Sequence, residues 1–224
     1  MDRGVMGLAN IELPKKARFA PRKRRAEGEP KTGLAGRACS DWLALSGAER
    51  TLTVQIDCVE GLRRNPKRVL SPRFVRLFFQ PCILIKSKDQ THVKAALNAV
   101  ETHCEGSFPD MLPMIPGDRG LEFLDFVKIE TGLDGTRRTR MFYCDPVKPS
   151  QKEACEKNHV ELRKILPKGT DFDELTFGDV SEVRSHTNSH PRPGQGRHPY
   201  NSPPWPCPRT CSSVWTSAPK LLGL

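Results

Sequence analysis

Hydrophobic and polar positions alternate over Thr51–Ile56, where Leu52, Val54 and Ile56 are separated by polar residues, the period-two pattern of a half-buried strand. The run stops at Asp57, so this strand presents an aspartate at or near its end. From Arg73 to Ile85 the chain is rich in Phe, Val, Leu and Ile and predicts one or two further strands. Pro72 and Pro81 lack the N–H that a central ladder needs and argue for an edge or a break. Between Thr91 and Glu105 the period changes: Val93, Ala96, Leu97 and Val100 fall at i, i+3, i+4 and i+7, with Lys94 and Asn98 off the stripe, which predicts an amphipathic helix. A short apolar run from Met111 to Ile115 leads into Pro116-Gly117-Asp118, so a second strand brings a second aspartate. Arg138–Cys144 alternates again and ends at Asp145-Pro146.

The remaining periodic segments are helical. Ser150-Gln151-Lys152-Glu153 matches a capping box, in which the Ser and Glu side chains satisfy backbone donors at a helix start. That helix is expected to run to Leu166 and stop at Pro167-Lys168-Gly169. Its apolar stripe is Cys155, Leu162 and Leu166, with His159 between them, leaving Lys152, Glu156, Val160 and Arg163 on a neighbouring face. A second helix is expected from about Thr176 to His186, with Val180 and Val183 inward. Strands interleaved with helices define an α/β fold, a mixed sheet flanked by helices.

The ends of the chain show no such pattern. Residues 1–50 carry the basic cluster Lys15, Lys16, Arg18, Arg22, Lys23, Arg24 and Arg25, then EGEPKTGLAGR. This segment reads equally as a phosphate-gripping arm or as a solvated leader. Residues 191–224 are dense in Pro, Gly and Ser, the composition of an irregular tail. The expected division is therefore a basic N-terminal tail over 1–50, a core over 51–190 and a Pro-rich tail over 191–224.

Of 224 residues, 36 are Lys or Arg and 26 Asp or Glu, a formal charge of +10 that favours polyanionic partners. No run is long and apolar enough to span a membrane, and MDRGVMGLANIELPKK lacks the apolar stretch of a secretory signal. A soluble cytoplasmic protein with no membrane partner is expected. The 8 cysteines have no C-x-x-C spacing and are expected to be mostly reduced, several of them as small core hydrophobes.

Three carboxylates stand where such folds collect their sites: Asp57, Asp118 and Glu156. Acidic oxygens in this number suit phosphoryl transfer with two metal ions, because hard Mg²⁺ prefers carboxylates and water. With 26 acidic residues in the chain, position alone selects this trio only weakly. A second constellation, His186-x-x-x-His190 followed by Cys207-x-x-x-Cys211, has a spacing compatible with zinc, but the cysteines lie among prolines and the residues read more simply as solvated polar groups.

The segments VQIDCVEG (54–61), GDRGLEF (117–123) and RRTRMFYCDPVKPSQKEACEKNHVELRKILPKGTDF (137–172) resemble bacterial insertion-sequence transposases of the IS-thirty type, which share the retroviral-integrase catalytic core. The similarity fades before about residue 50 and after about residue 190. The resemblance implies a ribonuclease H-like fold and a DDE triad of catalytic, metal-holding carboxylates. Asp57 matches the first aspartate, Asp118 the second in a D-x-G-x-E-F pattern, and Glu156 the glutamate, 38 positions after Asp118. It further implies Mg²⁺ or Mn²⁺ in a two-metal site, DNA as partner (element ends and target), a homo-oligomer, nucleoid association, and cleavage and strand transfer without a covalent protein intermediate. Gly120 would allow the turn after the second aspartate, and Glu122-Phe123 would begin the next helix. Lys152, Asn158, His159 and Arg163 would lie beside the site, with Lys152 and Arg163 contacting DNA phosphates.

The sequence also departs from the family pattern. Arg119 follows Asp118 where a small polar residue is usual, and a guanidinium there competes with cations for the aspartate. Glu153 stands where Gly is usual and Lys157 where Asn is usual, and residues 1–50 show no helix-turn-helix pattern. These departures leave a second reading open, a catalytically inactive remnant acting only as a basic nucleic-acid-binding protein. A ribonuclease acting on hybrid duplexes is a third.

Overall fold

The computed structural model of the chain describes residues 34–104, 106–145 and 153–191, with side chains of the last stretch described from residue 159 on. The chain divides into two units, Met1–Leu34 and Ala35–Leu224, and the first lies outside the described residues apart from Leu34. The basic cluster, the Pro-rich tail beyond Pro191, Ser150 and Lys152 lie outside them too.

The compact unit begins well before residue 50. Two short helices, α1 (Cys39–Leu43) and α2 (Gly47–Thr51), occupy part of the stretch read from sequence as a tail. α2 starts at a capping box in which Ser46 Oγ accepts from the Glu49 N–H and the Glu49 carboxylate accepts from the Ser46 N–H, so it needs no apolar stripe to be specified.

Three antiparallel strands follow in the order β1-β2-β3: β1 (Val54–Glu60), β2 (Arg68–Phe74) and β3 (Ile83–Ile85). Two more, β4 (Met114–Gly117) and β5 (Arg140–Tyr143), pair in parallel. A parallel bridge between Thr53 and Met114 sets β4 beside β1, so the strands read β3-β2-β1-β4-β5. This mixed sheet carries helices on both faces, as expected of a ribonuclease H-like α/β fold.

Two strand expectations need correction. β1 does not end at Asp57 but continues to Glu60, because Cys58 and Val59, on opposite faces, are both buried. β2 runs through Pro72. The Phe74 N–H donates to the Phe79 carbonyl at 2.9 Å, so nitrogens of this parity point away from β1. The pairing with β3 has already ended at Leu70, and no ladder donor is missing at Pro72.

The helices cover the two faces as their stripes dictate. α3 (Gln90–His103) buries Val93, Ala96, Leu97 and Val100 and starts at Asp89, whose carboxylate accepts from the His92 N–H. On the opposite face, Val59, Val69 and Leu84, aligned across three strands, join Leu162 of α6 (Glu153–Ile165), Leu166 just past its end, Phe172, and Val180 and Val183 of α7 (Phe177–Ser189) in one apolar cluster. α7 is pinned at its end by Asn188, whose side chain accepts from the Gln80 N–H and donates to the Gln80 carbonyl, each at 2.8 Å. The short helices α4 (Phe108–Met111) and α5 (Phe126–Glu130) flank β4 and its following loop. Cys39, Cys58, Cys82, Cys104 and Cys144 are buried thiols, none of them in a disulfide.

Candidate functional site

The register of the parallel strands assembles the site. Thr53 of the β1 end bridges Met114 of β4, and four residues further along both chains stand Asp57 and Asp118. Neighbouring strands lie about 4.8 Å apart and side chains repeat with period two, so the aspartates stand at one level on one face. Gly117 agrees with this register: a Cβ built there would lie 3.5 Å from Ile56 Cγ2 on one side and 2.5 Å from Met141 Cε on the other.

Each carboxylate is oriented locally. Asp57 Oδ1 accepts from the Cys58 N–H at 2.8 Å, while Oδ2 faces His159 Nδ1 on α6 at 3.9 Å. Asp118 Oδ1 accepts from the Gly120 N–H at 3.1 Å, an Asx turn immediately past β4. Glu156 lies on α6, three residues before His159; its side chain, like that of Asn158, is outside the described residues. Among the described residues no group of three His, Cys, Asp or Glu side chains comes together to hold a metal ion.

The surroundings are more polar than periodicity suggests. Glu122, only 3% exposed, lies under the D-x-G turn, and a Cβ on Gly120 would meet its Oε2 at 2.5 Å. Gly120 has an ordinary extended conformation, φ −63° and ψ 147°, so glycine is required here for close approach rather than for the turn itself. Glu122-Phe123 form a single 3-10 turn, Leu121–Phe123, and α5 starts only at Phe126. Lys88 Nζ bridges Glu122 at 3.3 Å and Glu60 at 2.9 Å.

Burial pushes the Glu122 carboxyl up, with the nearby Asp118 charge adding and Lys88 opposing. Lys88 is held above its ordinary range: burial works against its charge, and the hydrogen bond to Glu60 together with the negative charges of Glu122 and Glu60 more than offsets that. Burial raises the Cys58 thiol well up, and Glu122, Asp57 and Asp118 all add to it, so the thiol beside Asp57 is a protonated core group.

Arg163 Nη2 donates to the Glu60 carbonyl at 2.7 Å, fastening α6 to the end of β1; burial lowers its pKa. Arg119 leaves Nε buried without a hydrogen-bond partner among the described residues. Of the zinc-compatible set, His186 lies on α7 and His190 caps it, whereas Cys207 and Cys211 lie outside the described residues. Sequence reasoning missed Lys88 and Glu60, which sit in different elements and meet only through the fold. Glu122 was visible as part of the D-x-G-x-E-F pattern, without its burial. No helix among the described residues is long and apolar enough to cross a membrane.

The chain is 26% identical over 110 residues to the transposase for insertion sequence element IS1086 of Cupriavidus metallidurans, a match spanning 49% of this chain and 31% of that protein. The resemblance to insertion-sequence transposases therefore holds over about half of the chain and a third of that relative. Among solved structures, a chain of the simian T-cell lymphotropic virus intasome in complex with PP2A regulatory subunit B56 gamma shares the fold. The TM-score is 0.53 and the identity 13%, over 69% of this chain and 55% of that one. The catalytic core domain of BIV integrase matches at a TM-score of 0.45 and 15% identity, over 67% of this chain and 91% of that one. No family model matches the chain.

Proposed function

We propose that residues 51–190 form the catalytic core of a DNA transposase that cleaves and joins DNA strands through Asp57, Asp118 and Glu156. The observation that carries this reading is the register of β1 and β4, which sets Asp57 beside Asp118 while α6 brings His159 to 3.9 Å from Asp57 and carries Glu156 one turn away.

Asp57 and Asp118 offer hard oxygen donors, the ligand type that Mg²⁺ and Mn²⁺ take. The carboxylate of Glu156 is the third donor in this proposal. Cations held there would supply Lewis acidity for in-line attack by water or a 3′-hydroxyl on a DNA phosphodiester, the new P–O bond forming as the P–O bond to the departing 3′-oxygen breaks. The chain's own contribution is to fix the donors: the Cys58 N–H orients Asp57, the Gly120 N–H orients Asp118, and α6, packed through Leu162, sets the position of Glu156. Lys152, Asn158, His159 and Arg163 border the DNA path, with Lys152 and Arg163 contacting its phosphates. The substrates are element ends and target DNA, engaged by a homo-oligomer in the bacterial cytoplasm at the nucleoid.

The test is nicking and strand transfer on DNA carrying the element's own ends, with Mg²⁺ or Mn²⁺. Loss of activity in Asp57→Asn, Asp118→Asn and Glu156→Gln, with melting temperatures kept, is the expected outcome. Activity that survives all three substitutions overturns the triad.

Arg119 favours a second reading, a remnant that binds DNA but does not cut it, because its guanidinium follows Asp118 directly and competes for that carboxylate. That reading predicts salt-dependent DNA binding with no cleavage, and metal-dependent nicking by the unmodified chain excludes it.

A further inference from the structure

We propose that Glu60, Lys88 and Glu122 form a brace that sets the spacing of the candidate metal-holding carboxylates, so that Lys88 and Glu122 act as positioning residues for the site. The inference rests on the triad reading above and extends it to residues that the D-x-G and helix motifs do not explain.

The three side chains connect the elements that carry the triad. Glu60 ends β1, three residues after Asp57. Its carboxylate takes Lys88 Nζ at 2.9 Å, and its carbonyl takes Arg163 of α6, the helix of Glu156, at 2.7 Å. Lys88 precedes α3 and reaches Glu122 at 3.3 Å. The Glu122 carboxylate presses on Gly120, leaving no room for a Cβ, and the Gly120 N–H holds Asp118 Oδ1 at 3.1 Å. A continuous path of short contacts thus runs from α6 through the end of β1 to the turn after β4.

Burial makes this path directional. Glu122 is 3% exposed, and a buried anion that loses its cation either takes a proton or moves to solvent. Because its carboxylate lies against Gly120, movement displaces the Asp118 turn directly. Lys88 is itself 35% exposed, so solvent screens the pair and its contribution to stability alone is small. A role in geometry accounts for its position beneath the D-x-G turn.

Position and charge predict opposite signs for one variant. If Lys88 acts only as a positive charge near the carboxylates, Lys88→Met removes a competitor and tightens cation binding. If it acts as a brace, Lys88→Met frees Glu122 and weakens binding.

The experiment is calorimetric titration of the full chain with Mn²⁺ alone, with a thermal melt of every variant. Lys88→Met and Glu122→Gln are expected to weaken Mn²⁺ binding by about ten-fold or more, the usual effect of removing a group that orients a metal ligand. Lys88→Arg, which keeps charge and reach, is expected to restore most of the affinity. Tighter binding in Lys88→Met overturns the brace, as do affinities within about two-fold of the parent in both folded variants. Should Lys88→Met fail to fold, Glu122→Gln, nearly isosteric, carries the decision. An unmodified chain that binds no Mn²⁺ sinks the triad reading itself, whereas binding that ignores Lys88 and Glu122 sinks only this inference.

Discussion

Gly61→Ala tests how tightly the loop after α6 closes over the end of β1, the strand that carries Asp57. Gly61 is absent from the residues with positive φ, so an alanine fits its backbone conformation, and the reduced freedom of the unfolded chain should by itself stabilise by about 0.4–1 kcal/mol. Space opposes this. The new Cβ would lie 2.6 Å from both Phe172 Cδ1 and the Thr170 carbonyl oxygen. Neither can yield cheaply: the Phe172 ring is fully buried, the Thr170 carbonyl accepts from the Leu62 N–H at 3.0 Å, and Asn65 Oδ1 holds the Phe172 N–H at 3.1 Å. Overpacking of this kind costs about 1–3 kcal/mol, and loosening one hydrogen bond adds about 1 kcal/mol. After the unfolded-state gain is subtracted, the expected loss is roughly 2 kcal/mol, or about 4–8 °C in melting temperature for a domain of this size. Gly47→Ala is the matched control. No atom lies within 4 Å of a Cβ there, so the same unfolded-state effect should raise stability by about 0.4–1 kcal/mol. Both variants are measured by urea and thermal unfolding. A Gly61→Ala protein that melts at or above the parent refutes the close approach, whatever Gly47→Ala does.

Other substitutions probe the elements around the site. Leu162→Ala, fully buried between α6 and the sheet, should cost about 2–5 kcal/mol in urea unfolding and lower activity through the displaced helix; a loss below about 1 kcal/mol, well under that range, would mean that α6 is not packed there. Asn188→Ala strands the buried N–H and carbonyl of Gln80 and should cost about 1–3 kcal/mol, read as earlier hydrogen exchange at the end of α7. The Thr176 hydroxyl and backbone N–H hold the Asp179 carboxyl below its ordinary 3.8. Its contribution is therefore present above that value and lost as pH falls through the lower folded one. Asp179→Asn should flatten the stability curve below about pH 4; an unchanged acid limb would count against the capping box.

Much of the sheet was legible because single-faced burial writes its period into the chain. β1, α3 and α7 were found from Leu52-Val54-Ile56, from Val93-Ala96-Leu97-Val100 and from Val180 with Val183. The failures have physical causes. β1 was cut short at Asp57 because Cys58 and Val59 are buried on opposite faces, so the alternation that marks a strand disappears where both faces are covered. Pro72 looked like a break because sequence does not reveal which ladder its nitrogen faces. α1 and α2 were lost in a stretch without periodicity, since a five-residue helix is specified by its caps and by what it docks against.

The candidate site divides along the same line. Local pattern places Asp118 just past the end of β4 and puts Asp57 at a strand end that β1 in fact overruns to Glu60, and family resemblance singles both out among 26 acidic residues. Their juxtaposition depends on the parallel register of β1 and β4, whose strands are separated by β2, β3 and α3 in sequence, and no local pattern encodes it. Lys88, Glu60 and Glu122 show the limit most clearly. Glu122 stands in the D-x-G-x-E-F pattern but nothing local announces its burial, and Lys88 and Glu60, far apart in the chain, carry no motif at all. The resemblance implies a phosphate contact for Arg163, and what the sequence does not reveal is that its Nη2 also donates to the Glu60 carbonyl. A charged side chain near a strand end can serve the substrate or the scaffold, and which one it serves is decided by the acceptor within reach.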